Sequence, residues 1–241
     1  EKVDNTMNMN ASARRAEMAA GGEVPATSNV HVSSHPLIAH KVTQLRKADL
    51  STREYQQLMK EVSTLVLYEA THQLKLCPTT IETDEDSKKY SRTGQKLVER
   101  LGVAPILRGG LGMAEAATEM LPTAQVWHLG IYRDKASLLP VEYYNKLPKK
   151  VSVERVFLLD PMPISGSTAV AALDILKAWG STAGHPFAVE LVCLVAKAEA
   201  IKLLTECHPD VHLHVGMVDD DEAVPLMPSL GDVGDRLFNT F

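Results

Sequence analysis

The chain has 241 residues, 45% of them hydrophobic and 23% charged, so it can bury a core as one domain, or two small ones, without disulfide staples. A formal net charge of −5 argues against a protein held on duplex nucleic acid by phosphate contacts, and no apolar stretch approaches membrane-spanning length. Three cysteines, Cys77, Cys193 and Cys207, match no zinc spacing, and an apolar signal core and a peroxisomal ending are both lacking, so the expectation is a reducing, cytoplasmic setting.

Residues 1–34 are rich in Ala, Gly, Ser, Met and Asn with no apolar period, and read as a disordered tail. Folded sequence is expected from 35 to 241. Pro36 suits the first turn of a short helix running to about Lys47. Ser51 and Glu54 then have capping-box spacing, and Leu58, Val62 and Leu65 mark a helical stripe. The stretch 77–94, CPTTIETDEDSKKYSRTG, is polar, Thr-rich and closed by Gly94. It reads as a hairpin projecting as an arm.

From Leu101 strand and helix alternate. VAPIL (103–107) is a buried strand, GMAEAATEMLP a helix stopped by Pro122, and QVWHLGI (125–131) a strand. RVFLL (155–159) leads to a helix with Val170, Leu173, Leu176 and Trp179 inward and Gly180 as its stop. VELVCLVA (189–196), AKAEAIKLLTEC and DVHLHV (210–215) repeat the unit, with Cys193 as a buried thiol. The alternation predicts an α/β fold with a mostly parallel sheet flanked by helices.

Open parallel sheets bind ligands beyond the carboxyl ends of their strands. Three segments fall there: LRGG (107–110), DPMPISGST (160–168) and PLMPSLGDVGDR (225–236). In the second, Asp160 closes a strand, and Ser165, Gly166, Ser167 and Thr168 open a helix. Backbone amides, hydroxyls and the helix dipole make a phosphate cradle there. The alternative is a plain helix cap by Ser167 or Thr168 with Asp160 solvated, and the local pattern divides evenly between the two. Neither a Walker loop nor a dinucleotide fingerprint is present. His212 and His214 on one strand face read as a solvated face rather than a metal pair, and DDDE (219–222) as an exposed acidic loop.

A hydrophobic strand, an acidic residue and S-G-S-T entering a helix resemble the phosphoribosyl-pyrophosphate (PRPP) loop of type I phosphoribosyltransferases. Asp-Pro-Met at 160–162 is similar to the uracil phosphoribosyltransferase branch. HPLIAHKVTQLR (35–46), YEAT (68–71), VAPILRGGLGM (103–113), IYRDKASLLPVEYYNKLP (131–148) and GDVGDRLFNT (231–240) agree in order. The resemblance implies a type I phosphoribosyltransferase-like sheet, and transfer of phosphoribose from PRPP to uracil, giving UMP and pyrophosphate, with Mg²⁺. It implies that Asp160 holds the ribose hydroxyls within a PRPP loop of Asp160, Pro161, Met162, Pro163, Ile164, Ser165, Gly166, Ser167 and Thr168. Ser165 to Thr168 would cradle the 5′-phosphate.

Arg108 and Arg133 match arginines on pyrophosphate oxygens, for which a guanidinium fork is suited. Leu226, Gly231, Asp232 and Val233 match the uracil-binding loop, with Asp232 also near the substrate phosphates or their magnesium. No side chain is assigned as a direct metal ligand. A homodimer or tetramer, and GTP as a candidate effector, are further implications. The chain departs from the family pattern at Pro225, where Tyr is usual, and at Ser229, where Gly is usual. A Cβ at Ser229 is strained if that position needs positive φ, and an altered base loop would suit a homologue that binds a nucleotide without turnover.

Overall fold

The computed structural model describes residues 29–85, 88–134, 139–219 and 229–240. An eight-stranded sheet forms the centre. In chain order the elements are β1 (Val30–Val32), α1 (Pro36–Leu45), α2 (Thr52–Ala70), β2 (Leu76–Glu85), β3 (Lys88–Leu97), β4 (Leu101–Leu107), α3 (Leu111–Met120), β5 (Gln125–Val126) and β6 (Leu129–Arg133). β7 (Pro140–Asn145), β8 (Arg155–Leu159), α4 (Ser167–Thr182), β9 (Ala188–Lys197), α5 (Ala198–Cys207), β10 (His212–Asp219) and α6 (Val233–Phe238) follow.

The strand order is β1-β10-β9-β8-β4-β6-β7, with β5 beside β4. Every pairing in this sheet is parallel except β6 with β7. Strand residues alternate between two cores. Val103, Phe157, Leu159, Val192 and Leu194 pack under α1, α2, α3 and α6. Ala104, Val156, Leu158, Leu191 and Cys193 pack under α4 and α5. Both faces of the central strands are therefore covered, which is why VAPIL and VFLL (156–159) are continuously apolar. Met59 and Met113 fill the first core, both fully buried.

Local chemistry sets the helix ends. The Ser51 side chain accepts from the Glu54 amide and the Glu54 carboxylate accepts from the Ser51 amide, a complete capping box on α2. α4 runs through Gly180 to Thr182, beyond its expected stop. Gly180 is buried inside the helix, and the turn comes at Gly184, with φ +67°. The expected strand 125–131 divides into β5 and β6.

The expected tail needs a correction at its end. Residues 1–28 lie outside the described residues, but Val30–Val32 form β1, paired in parallel with Leu213–Val215 of β10. β2 and β3 pair over their whole length as a separate two-stranded sheet, the arm expected at 77–94. Leu76, Ile81, Tyr90 and Leu97 are exposed on it.

His214 does not face solvent, and His212 is half-buried. His214 is buried and its Nε2 lies 2.7 Å from Glu190 Oε2, while His212 Nδ1 lies 2.9 Å from His31 Nε2. The His31 ring stacks on both, at 5.2 Å and 4.9 Å. Arg155 bonds Glu190 and, at 2.7 Å, Glu99. Asp219, the first residue of DDDE, is buried between Lys197 and Arg46, at 3.6 Å and 3.5 Å, and the other acidic positions lie outside the described residues.

Candidate active site

Strand order reverses between β4 and β8. The chain leaves β4 towards β6 on one side and leaves β8 towards β9 on the other. A crevice therefore opens at the carboxyl ends of β4 and β8, which is where open α/β sheets take their ligands. The loops after these strands are LRGG and DPMPISGST.

Asp160 ends β8. Its Oδ1 accepts from the Met162 amide at 3.3 Å, and burial pushes its carboxyl up to about 6. The following residues are sewn to β9. Pro161 O accepts from the Leu194 and Val195 amides, both at 3.1 Å, and Pro163 O from the Lys197 amide at 3.2 Å. Pro161 and Pro163 are buried, and Met162 packs against the α2-side core. These residues hold the loop's shape, leaving Ile164, Ser165, Ser167 and Thr168 part-exposed at its mouth.

Gly166 has φ +77° and stands at the N-cap of α4, with no side-chain cap. A Cβ there would also come 3.0 Å from Ala200 O, so both backbone shape and space require glycine. Ser165 Oγ and Ser167 Oγ are 3.0 Å apart. The simple-cap alternative for Ser167 or Thr168 is thus not what forms. The first turn of a sixteen-residue helix, short of intrahelical acceptors by geometry, opens between hydroxyls without a capping side chain.

Arg108 follows β4 directly, after a cis peptide bond from Leu107. Its Nη2 donates to Asp235 Oδ1 at 2.8 Å and its Nη1 to Thr240 Oγ1 at 3.1 Å. The C-terminal segment reaches the same place. Gly231 takes φ +71°, Asp232 Oδ1 caps α6 by accepting from the Asp235 amide at 2.9 Å, and Val233 is buried. Gly109 marks the meeting point: a Cβ on it would lie 3.1 Å from Pro161 Cγ and 3.5 Å from Val233 Cγ1. LRGG, DPM and GDV thus converge, though each is far from the others in sequence.

Arg133 ends β6 at the same carboxyl edge, and the role expected of its side chain falls outside the described residues. Leu226 and Pro225 lie outside them as well. Ser229 is described, and it does not take the positive φ that would strain a Cβ there. The non-glycine residue with positive φ among the described residues is Asn239, and in this segment the positive φ belongs to Gly231. Ser229 Oγ is instead buried with no hydrogen-bond partner. Asp235 and Thr240 escaped the sequence reading. GDVGD carried a signal for them, because its Asp residues are three apart, the spacing of an N-cap and the amide it receives.

The family model for uracil phosphoribosyltransferase matches residues 32–240. The chain belongs to the uracil phosphoribosyltransferase family. Among curated uracil phosphoribosyltransferases, one from Roseiflexus castenholzii is 44% identical over 213 residues, 88% of this chain and 98% of that protein. Another from Halalkalibacterium halodurans is 40% identical over 215 residues, 88% of this chain and 99% of that protein. The solved structure of the AQ2163 protein from Aquifex aeolicus superposes with a TM-score of 0.76 at 31% identity, covering 88% of this chain and 98% of that one. The uracil phosphoribosyltransferase match begins at Val32, inside β1, so the first strand lies at the border of the family's shared region.

Proposed function

We propose that this chain transfers the phosphoribosyl group of PRPP to uracil, forming UMP and releasing pyrophosphate, a pyrimidine-salvage reaction. The convergence of LRGG, DPM and GDV at Gly109, beside a helix start without a capping side chain, carries this reading. Uracil N1 bonds to ribose C1, the C1–O bond to pyrophosphate breaks with its electron pair leaving on oxygen, and the N1 proton is lost.

Roles follow from chemistry and place. Asp160, ionised above about 6, accepts from the ribose hydroxyls. Ser165, Gly166, Ser167 and Thr168 donate to the 5′-phosphate at the start of α4. Arg108 and Arg133 meet pyrophosphate oxygens, where fixed donors lower the energy of the departing charge. Gly231, Val233 and Leu226 present backbone to the uracil edge, whose alternating donors and acceptors it can complement. Together these residues hold N1 against C1.

Among the described residues no group of three His, Cys, Asp or Glu could cage a metal. Mg²⁺ takes its ligands mainly from substrate oxygens and water, so it would arrive with PRPP, and Asp232 is the carboxylate that would approach it. Bound with PRPP, Mg²⁺ would offset charge on the leaving pyrophosphate. The exposed apolar residues of the β2–β3 arm support assembly as a homo-oligomer. No helix among the described residues is long and apolar enough to cross a membrane, and a cytoplasmic setting is the reading that the cysteine pattern supports.

The test is formation of labelled UMP from labelled uracil and PRPP with Mg²⁺. UMP is expected to accumulate and to stop on chelation of the metal. Absence of turnover at high protein concentration, alongside a thermal shift with UMP, would leave a nucleotide-binding homologue instead.

A further inference from the structure

Arg108 is about half exposed, its side chain retaining 49% of full accessibility. A long arginine in that setting ordinarily samples many rotamers. This one does not have that freedom. Nη2 is bonded to Asp235 Oδ1 at 2.8 Å and Nη1 to Thr240 Oγ1 at 3.1 Å. Thr240 Oγ1 in turn donates to the same Asp235 oxygen at 2.7 Å. The hydroxyl accepts once and donates once, so the triangle is chemically closed. The guanidinium also lies against Gly234: a Cβ there would sit 3.1 Å from Nη2, 3.2 Å from Nε and 3.3 Å from Cζ.

The platform carrying Asp235 is itself fixed. The Arg236 guanidinium donates to Leu45 O at 3.1 Å, to Leu230 O at 2.9 Å and to Lys47 O, and lies 4.1 Å over the Tyr55 ring. Gln56 Nε2 donates to Leu237 O at 2.7 Å, and Tyr55 Oη to Leu230 O at 3.2 Å. α6 is thereby fastened to α1 and α2, and adjacent residues divide the work. Arg236 anchors the helix, while Asp235 bonds Arg108. An ion pair this exposed contributes little to stability, so stability is a weak reason for the arrangement. Orientation is a better one, because a preset donor avoids an entropic cost when substrate arrives.

We propose that Asp235 and Thr240 are positioning residues that hold the Arg108 guanidinium in the orientation in which it receives the pyrophosphate group of PRPP. The inference rests on the reading of Arg108 given under Proposed function. Two N–H groups of the fork are committed to the triangle, and no other described residue uses the remaining ones, which stay available for phosphate oxygens. Thr240 and Arg108 both hold the Asp235 carboxyl below its ordinary range, which keeps it charged as the site requires.

A double-mutant cycle decides the matter. The Kd for PRPP with Mg²⁺ is measured by calorimetry on the wild type, Asp235→Asn, Arg108→Ala and the double variant, beside the KM for each substrate in UMP formation. Asp235→Asn is expected to weaken PRPP about fivefold to tenfold, roughly the loss of one charged hydrogen bond that acts through another residue. It should leave the KM for uracil unchanged, and add nothing in the Arg108→Ala background. Thr240→Val should show the same pattern more weakly, and Thr240→Ser should restore wild-type values. An equal loss in both backgrounds, a KM for uracil that moves with the Kd, or tighter PRPP binding by Asp235→Asn would overturn the proposal. A wild type that binds PRPP with this cycle intact but makes no UMP would fail the enzyme reading alone. A wild type that does not bind PRPP would fail both.

Discussion

Asp160 sits where a carboxylate is costly. Burial raises its carboxyl from about 3.8 to about 6, with the Met162 amide as a partial offset. A raised carboxyl favours the fold while it is protonated, and that contribution is lost as pH rises through about 6. At pH 8 the fold therefore bears a desolvated charge that an amide would not impose. Asp160→Asn should raise the Tm at pH 8 by about 2–4 °C, what roughly 1 kcal/mol gives in a chain of this size. The gain should shrink towards pH 4, which scanning calorimetry at both values checks. A lower Tm at both would mean that Asp160 is there for structure. The sequence showed this residue because a charged side chain closing an apolar strand is legible from order alone. For Ser229, at the same scale, the sequence left the backbone angle open. The need for positive φ belongs to Gly231, two residues on, and backbone angles do not follow from residue type by itself.

Whole elements were legible where their pattern was long. α2 announced itself by a capping box and stripe, and β8 by the apolar run VFLL. β1 was not, because VHV has three residues and takes its register from β10, whose Leu213–Val215 are far away in sequence. The imidazole stack adds side-chain contacts to the backbone pairing that holds β1 on β10. Burial first, and then His214 and His212, lower the His31 imidazole below its ordinary 6.5, while Glu190 opposes them. Glu190 is pushed up by burial but held low by His214 and Arg155. Glu69 and His72 of the neighbouring helical segment line the same cavity. A lowered imidazole stabilises the fold fully above about 6.5, and the contribution disappears as pH falls. From pH 7.5 to 5.5 the wild type should lose more Tm than His31→Gln, by about 1–3 °C as followed by circular dichroism. Parallel losses in both proteins would show that His31 does not bear the charge cost. His212 and His214 looked solvated because alternation places residues on a face without saying what covers it.

Over the whole molecule, the order of the sheet creates the site. β4 and β8 are neighbours whose successors run in opposite directions, so LRGG and DPMPISGST meet at one crevice and the C-terminal GDV closes on them at Gly109. The alternation of strand and helix made the parallel sheet legible, and motif order suggested which loops belong together. Their convergence was not legible, since contact between Gly109, Pro161 and Val233 depends on strand order, which periodicity does not encode. The Asp235–Thr240–Arg108 triangle was hidden for the same reason. The central claim is that this crevice carries out phosphoribosyl transfer, and kcat/KM for PRPP in UMP formation, compared between the wild type and Asp160→Asn at pH 8, tests it most directly. A loss on the order of 10²-fold or more is predicted, about 3 kcal/mol of transition-state stabilisation lost with the charge proposed to hold the ribose. An unchanged kcat/KM in a folded variant would contradict the account.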